Sequence, residues 1–478
     1  MHAMKLLLIN PLNQYRKGFS LSWTNVYPPI GLGILASLTP ENWDIKIIDE
    51  NFDKWEKIPP EDKEADLIGI TSFSPNAPRA YEIAAYFRER NIPVVYGGNH
   101  ATMMSEEAAQ YVDVVFKGEA ETKWPEVIRD FENNELKPVY DGGQPELKTM
   151  PPARHELFDK RYIFSSIQTT RGCPFKCDFC SVHLFNGTRH RLRPVNDILD
   201  ELEAIPNKLV FFIDDNFYGY STASKNHAYE IMEGMIERGM KKDWYAQTSM
   251  NVADDEKFLK LAARSGCHEL FIGVETDDPE QLKNTNKRLN AKVSPENFQK
   301  KFRKIQKHGI AVLGAFIFGL EGDTVESIYR RAQFIEDTGV DTIQTSLLMP
   351  PPGTPLYDRQ KKAGRLLRTN FPKDWERYHS AEVILQPENM SPQELQHHMY
   401  IIWHKLYNKK ANRKRFLKTF WRTKSYKAAL WAYIGNTHYR SMSFENGGYN
   451  PDMHPDKQER IFLEPVTHKR MKRPDDIF

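Results

Sequence analysis

Four cysteines in 478 residues leave little room for a disulfide framework, and a chain without secretion features keeps its thiols reduced. Charge of one sign is missing as well. Lys and Arg number 66 against 64 Asp and Glu, a formal net charge of +2, so nothing in the whole-chain balance favours nucleic acid or membrane. No apolar run reaches the roughly 18 residues of a membrane span. Met1 to Asn10 is a short apolar strand after one lysine, without the apolar core and small-residue cleavage site of a secretion signal. These absences predict a cytoplasmic protein, long enough for two or three domains with buried cores.

What is present is concentrated. Three of the four cysteines fall within eight positions, in Arg171-Gly-Cys-Pro-Phe-Lys-Cys-Asp-Phe-Cys180. A structural zinc site needs four N/S ligands, usually as paired hooks, and this run has only the distant Cys267 as a partner, so zinc is disfavoured. Three thiolates on one loop suggest a 4Fe-4S cluster with one iron open to a small molecule. Cys267, in Ala263-Arg-Ser-Gly-Cys267 ahead of an apolar run, reads as core packing instead of a ligand.

The C-x3-C-x2-C spacing, with Phe179 before the last cysteine, resembles the radical S-adenosylmethionine (SAM) superfamily. The resemblance implies that Cys173, Cys177 and Cys180 hold three irons of the 4Fe-4S cluster and that the fourth iron chelates SAM. One electron, from a donor such as flavodoxin or ferredoxin, then yields a 5′-deoxyadenosyl radical. Phe179 would pack by the adenine. Such a cluster requires a low-oxygen setting.

Ahead of this motif, short apolar strand signals alternate with helix signals: Lys5–Asn10, Gly31–Ser37, Asp44–Asp49, Asp66–Thr71, Ala77–Arg90, Val94–Tyr96 and Val112–Phe116. The pattern predicts a doubly wound parallel sheet over residues 1–140, whose ligands sit at the carboxyl ends of the strands. Tyr27-Pro-Pro-Ile-Gly-Leu32, Gly97-Gly-Asn-His-Ala-Thr102 and Gly118-Glu-Ala-Glu121 resemble phrases of the cobalamin (B12)-binding domain of a large radical SAM subgroup. The resemblance implies Asn10, Pro11, Gly31, Ser72, Ser74, Gly97, Gly98, His100, Gly118 and Glu119 as cobalamin-binding positions. The D-x-H-x-x-G segment that supplies histidine to cobalt in many cobalamin proteins is absent after the first strand. The lower cobalt face is therefore expected without histidine, and His100 alone reads as a turn residue bonded to backbone.

Residues 141–162, with Pro145, Pro151 and Pro152 and an exposed-looking Ala153 to Leu157, read as a linker. From 163 to 365 six strand signals recur with helices between them: Ser165–Thr169, Leu209–Ile213, Trp244–Gln247, Leu270–Val274, Val312–Phe318 and Thr342–Leu348. They predict an open, partial (β/α)6 TIM-type barrel, also implied by the resemblance, with its chemistry at the strand carboxyl ends. By that analogy Asp214, Asp215, Asn216, Ser249, Glu275, Gly314, Gly319 and Glu321 would meet SAM. The usual Gly-Gly-Glu of the family is replaced by Asp214 to Asn216.

Residues 366–478 read as a helical, aromatic and basic region. Lys405 to Lys427 holds ten Lys/Arg and no acid, with Trp403, Tyr407, Phe416, Phe420, Trp421 and Tyr426 nearby. A solvated helical face and a peripheral anionic-membrane surface are both compatible with it, and RNA binding is the disfavoured third reading. The tail from Asn446 is polar and proline-bearing.

The resemblance implies a cobalamin-dependent radical SAM enzyme that methylates an unactivated carbon of a small-molecule or lipid substrate, a methyltransferase. Its alternatives are rearrangement, cyclisation or carbon–carbon bond formation on the same layout, and, from another class, an iron–sulfur redox sensor or RNA-binding protein. RNA methylthiolation is disfavoured because no cysteine precedes Cys173. No catalytic acid or base can be picked out.

Overall fold

A computed structural model describes residues 4–13, 27–287 and 295–445; the polar tail from Asn446 lies outside them. Two parallel sheets organise the chain. The first comprises β1 (Lys5–Asn10), β2 (Asp44–Asp49), β3 (Leu67–Thr71), β4 (Val94–Gly97), β5 (Val114–Lys117) and β6 (Val139–Asp141), in the order β2-β1-β3-β4-β5-β6. Strands covered on both faces read as continuous apolar runs, because alternate residues serve opposite cores. Leu7 and Ile9 of β1 thus pack with the helix Ala77–Arg88, and Leu6 and Leu8 with Trp124 of the helix Trp124–Glu132 on the other face. The order reverses between β1 and β3, which pair at Leu6↔Leu67 and Ile9↔Ile70. A crevice opens at such a switch point, beyond the carboxyl ends of the strands.

The second sheet contains β7 (Phe164–Ile167), then, after a small antiparallel ladder of β8 (Thr170–Arg171) and β9 (Arg191–Leu192), β10 (Leu209–Phe212), β11 (Asp243–Thr248), β12 (Cys267–Glu275), β13 (Ala311–Phe318) and β14 (Thr342–Leu347). All six main strands run parallel in the order β14-β13-β12-β11-β10-β7, with β14 and β7 as edges. This is a barrel left open, as the sequence predicts. Its helices are capped where the sequence offers caps: Ser221 and Thr324 form capping boxes, and Asp255 accepts from Phe258 N–H.

The stretch 141–162 is not an exposed linker. Asp141 ends β6, and Leu147, Met150 and Ala153 are buried against Ile30 and Ile34 of the first domain. Glu201 of the second accepts from Ala153 N–H at 3.1 Å. The prolines that suggested a linker report backbone bends, which do not require exposure. Three helices complete the described chain, Pro392–Tyr407, Lys409–Thr423 and Tyr426–Glu445. The last lies against β12, β13 and β14, with Ala428 and Ala432 packed on Ala311 at the start of β13.

Candidate active site

The cysteine run occupies the loop between β8 and β9, and its entry is held by the residues that end β10. Both carboxylate oxygens of Asp214 are engaged in this. Oδ1 accepts from the backbone N–H of Thr169 at 2.6 Å and of Thr170 at 2.7 Å, and Oδ2 accepts from Thr169 Oγ1 at 2.6 Å. Burial lifts the Asp214 pKa to about 6. Asp215 accepts from Gly172 N–H at 3.0 Å and from Asn186 at 2.9 Å. Gly172 has φ +94°, and an added Cβ would stand 2.3 Å from Arg189 O, so only glycine fits before Cys173.

Cys173 and Cys177 raise the Cys180 thiol further, behind the larger effect of its burial. Burial pushes Cys177 up to about 11 and Cys180 to about 12, so holding them as thiolates falls to the cation they would bind. Among the described residues no three His, Cys, Asp or Glu side chains converge on one metal ion. A cluster does not need that convergence, since it takes one thiolate per iron, and the donor set fits it. Cys267 is remote from this chemistry, buried in the main core with its thiol against Glu269 O.

Glu275 ends β12 where the pairing with β13 shifts register, and it adopts φ +73°. A non-glycine residue in that region is held there by its surroundings, and such strain clusters at functional sites. Lys287 Nζ donates to its Oε1 at 2.5 Å. Burial alone would push the Lys287 ammonium down, but the Glu275 carboxylate, with Cys177 and Cys180 when they carry charge as thiolates, holds it above the usual range. Nothing in the sequence distinguishes this lysine from its charged neighbours. Asn216 Nδ2 donates to Ser249 Oγ at 3.0 Å, and Phe179 packs against the apolar cluster of Ile317, Leu320, Leu348, Leu356 and Leu385.

Several positions assigned to SAM from the sequence are engaged elsewhere. Asp214 and Asp215 shape the cysteine loop. Gly314 points to the outer layer, where a Cβ would meet Val340 at 2.9 Å, because alternation along β13 puts Leu313 on the inner side and Gly314 on the other. Gly319 makes room for Leu395. Glu321 accepts from Gln360 at 2.6 Å and faces Arg359 and Arg365.

At the switch point of the first sheet lies a cavity of about 650 Å³, bounded by Asn10, Pro11, Phe73 and Ser74 on one side and by Gln344, Thr345 and Ser346 of β14 on the other. Ser181, next to Cys180, also borders it. Five asparagines line this space (Asn10, Asn13, Asn51, Asn76 and Asn99), and among the described residues no Asp, Glu, Lys or Arg does. Phe73 is 68% exposed here; Gly31, on which a Cβ would meet nothing within 4 Å, is not among the lining residues. An amide-lined space with two histidines, no other ionisable group but tyrosine among the described residues, and an uncovered aromatic ring fits the amide-fringed corrin of cobalamin.

His100 does not reach it. The side chain is 0% exposed, with Nδ1 3.0 Å from Ser74 Oγ and Nε2 3.1 Å from Tyr81 OH and 3.2 Å from Glu107. Its partners are side chains instead of turn backbone, and its effect on the cavity is to position Ser74. Ser72 is likewise turned inward, 2.6 Å from Tyr96 OH. Gly98 starts the helix Gly98–Met103 after Gly97, with φ +90°, and Gly118 is fixed by Gly143, whose carbonyl a Cβ would meet at 2.7 Å. Glu119 is buried and paired with Arg171 and Arg191 of the second domain, so it joins the domains and has no oxygen left for a cofactor.

Residues 167–335 match the family described as the radical SAM superfamily, and residues 17–128 the B12 binding domain. Over 424 residues the chain is 30% identical to the bacteriochlorophyllide d C-12(1)-methyltransferase of Chlorobaculum tepidum, covering 86% of this chain and 89% of that one. The chain belongs to the radical SAM superfamily. Within it this radical SAM enzyme groups with the cobalamin-dependent methyltransferases, and its cofactors are a 4Fe-4S cluster, SAM and cobalamin. It is also 26% identical to the hopanoid C-2 methylase of Rhodopseudomonas palustris, over 71% of this chain and 65% of that one. The fold matches that of the radical SAM methyltransferase TsrM from Kitasatospora setae, with a TM-score of 0.63 at 17% identity over 86% and 90% of the two chains. No described helix is long and apolar enough to cross a membrane.

Proposed function

We propose that this radical SAM methyltransferase acts on an unactivated carbon of a large, mostly apolar substrate of the tetrapyrrole or polycyclic-lipid class. The observation that carries the reading is the cavity between the sheets, which borders the cysteine loop at Ser181 yet presents no Asp, Glu, Lys or Arg side chain among the described residues. Relatives named for bacteriochlorophyllide and hopanoid methylation support the class.

Cys173, Cys177 and Cys180 would hold the cluster. Glu275, Lys287, Asn216 and Ser249 would meet the polar portion of SAM, and Asn10, Pro11, Phe73 and Ser74 would face the corrin. Bound there, the cluster and SAM supply a carbon-centred radical and cobalamin a transferable methyl group. The chain's own contribution is alignment and exclusion of water, from side chains fixed by packing. Pro174 and Lys176 are exposed beside Cys173 and Cys177, so a one-electron donor of the flavodoxin or ferredoxin class would reach the loop from solvent.

A second reading concerns location. Lys410, Arg413, Lys414, Leu417, Phe420 and Trp421 are all exposed and recur at helical spacing, giving the helix Lys409–Thr423 one basic, aromatic outer face. Tyr426, Leu430 and Tyr433 extend the apolar patch onto the next helix. We propose that this face rests on an anionic membrane, where apolar substrates reside. Trp403 and Phe416 do not share it: Trp403 is buried and donates to Thr345 Oγ1 at 2.9 Å, and the half-buried Phe416 packs against Tyr426 and Tyr433. Arg415 and Arg422 turn inward to the carbonyls of Leu406 and Gly339.

Anaerobic turnover with methyl-labelled SAM and either bacteriochlorophyllide or hopanoid, read by mass spectrometry, tests the substrate class. Labelled product from one class supports the proposal; labelled product only from charged, water-soluble substrates overturns it.

A further inference from the structure

Inside the curve of the second sheet lies another cavity, of about 510 Å³. Its floor is the helix Tyr426–Glu445, through Leu430, Trp431 and Ile434, and its walls are inward-facing residues of β10 to β13, among them Phe211, Tyr245, Phe271 and Leu313. Alternation along parallel strands explains the set, because residues two apart share one face. Protein interiors are ordinarily filled to crystal density, so an apolar space of ligand size is a feature to be explained.

Three observations assign it an occupant. Tyr27, His438 and Tyr439 line both this cavity and the one between the sheets, so the two spaces adjoin across these three side chains. The walls are aromatic: the Phe211 and Tyr245 rings are stacked at 4.3 Å and 6°, and Tyr27 leans on Phe211 at 4.8 Å. Rings of this kind give flat contact to a rigid hydrocarbon. Among the described residues two acids line it, Asp243 and Glu269; Glu269 is 2% exposed and takes Thr342 Oγ1 as a donor on one oxygen. Burial lifts its pKa to about 8, so at neutral pH it keeps its proton and is able to donate. At the outer end, Asp243 is bound by His268 at 2.6 Å and Lys427 at 2.8 Å, beside Leu430 of the exposed apolar patch.

We propose that this inner chamber receives the apolar body of the substrate, a flat or elongated hydrocarbon skeleton with one uncharged hydrogen-bonding group turned to Glu269, while the carbon to be methylated lies beyond Tyr27 in the cavity between the sheets. The inference rests on the proposed substrate class, and it adds where that substrate is recognised and from which side it enters. Recognition through the chamber separates binding of the skeleton from the chemistry at the cysteine loop.

The deciding experiment uses the full-length enzyme with its cofactors, kept anaerobic and free of vesicles, titrated with the uncharged dye N-phenyl-1-naphthylamine. Ile434→Trp fills the chamber, Leu430→Asp puts charge at its exposed mouth where folding tolerates it, and Ala381→Trp narrows the cavity between the sheets as a control. The expected result in the first two variants is dye binding weakened about tenfold or more, with SAM cleavage retained and KM for the apolar substrate raised; the control, at a residue that lines the other cavity, keeps dye binding. No dye binding by the wild-type enzyme, or equal binding by Ile434→Trp and Leu430→Asp, overturns the chamber even where methylation proceeds. Dye binding that only the chamber variants lose, with no methylation of either substrate class, supports the chamber and counts against the substrate reading.

Discussion

Arg171, the first residue of the cysteine motif, donates through Nη1 to Glu119 Oε2 at 2.7 Å, in an interface where both side chains are nearly closed to water. Its other nitrogen donates to Glu121 at 2.6 Å, and Arg191 closes on Glu119 from the far side of the loop. The loop that would hold the cluster is thus clamped to the end of β5 in the sheet that would hold cobalamin. The clamp makes their relative placement part of the folded core.

Removing Glu119 leaves buried Arg191 without its carboxylate and Arg171 with Glu121 alone, which costs on the order of 3 to 5 kcal/mol. Glu119→Ala is expected to lower Tm by several degrees and to reduce cluster retention, with Glu119→Gln intermediate. A variant that melts and holds iron like the wild type would show that the clamp is not structural.

Alanine at Cys173, Cys177 or Cys180 should abolish the cluster. Cys267→Ala should keep it, at the modest stability cost of trimming a buried thiol. Iron and sulfide counts with an unfolding curve check this. Loss of iron from a folded Cys267→Ala enzyme would sink the ligand assignment.

The βα rhythm, the open barrel and the cysteine loop were all legible in the sequence, because apolar periodicity and thiol spacing are local signals. What a side chain faces is not local. Asp214 and Glu119 looked like cofactor groups because they sit at strand ends, yet the partners that occupy them, Thr169 and Arg171, lie 45 and 52 residues away. His100 was hidden the same way, by Ser74 and Tyr81 from other elements. The C-terminal aromatics were half legible: the sequence marks a helical, basic and aromatic stretch, but only packing reveals that Phe420 and Trp421 are exposed while Trp403 serves the core. Lys287 carried no signal, since one lysine in a charged stretch is ordinary until Glu275 is found beside it.

Glu269 makes stability depend on pH. Burial raises its pKa from the ordinary 4.5 to about 8, helped by Asp341 and opposed by Thr342. Between those values the folded chain keeps a proton that the unfolded chain has released, so the stabilisation present below 4.5 is lost as pH rises through about 8. Glu269→Gln does not titrate. At roughly 1.4 kcal/mol per unit, its advantage over the wild type should grow by several kcal/mol between about pH 5 and about pH 9. Parallel melting curves across that range would contradict the buried, proton-holding carboxyl.

The membrane reading predicts co-sedimentation with anionic vesicles that weakens steeply as salt rises, since the attraction acts over a Debye length. Phe420→Ala with Trp421→Ala should remove the salt-resistant remainder. Equal binding to neutral and anionic vesicles would reject the electrostatic face, and preference for RNA at matched salt would point to nucleic acid instead.

The most direct test of the central claim follows both halves of SAM at once in the anaerobically reconstituted enzyme with an apolar tetrapyrrole or polycyclic lipid and deuterated-methyl SAM. The structure predicts 5′-deoxyadenosine together with a deuterated methyl on substrate carbon, both lost in Cys177→Ala. A fully loaded cluster that releases no 5′-deoxyadenosine and leaves no label on carbon with any such substrate would contradict the account.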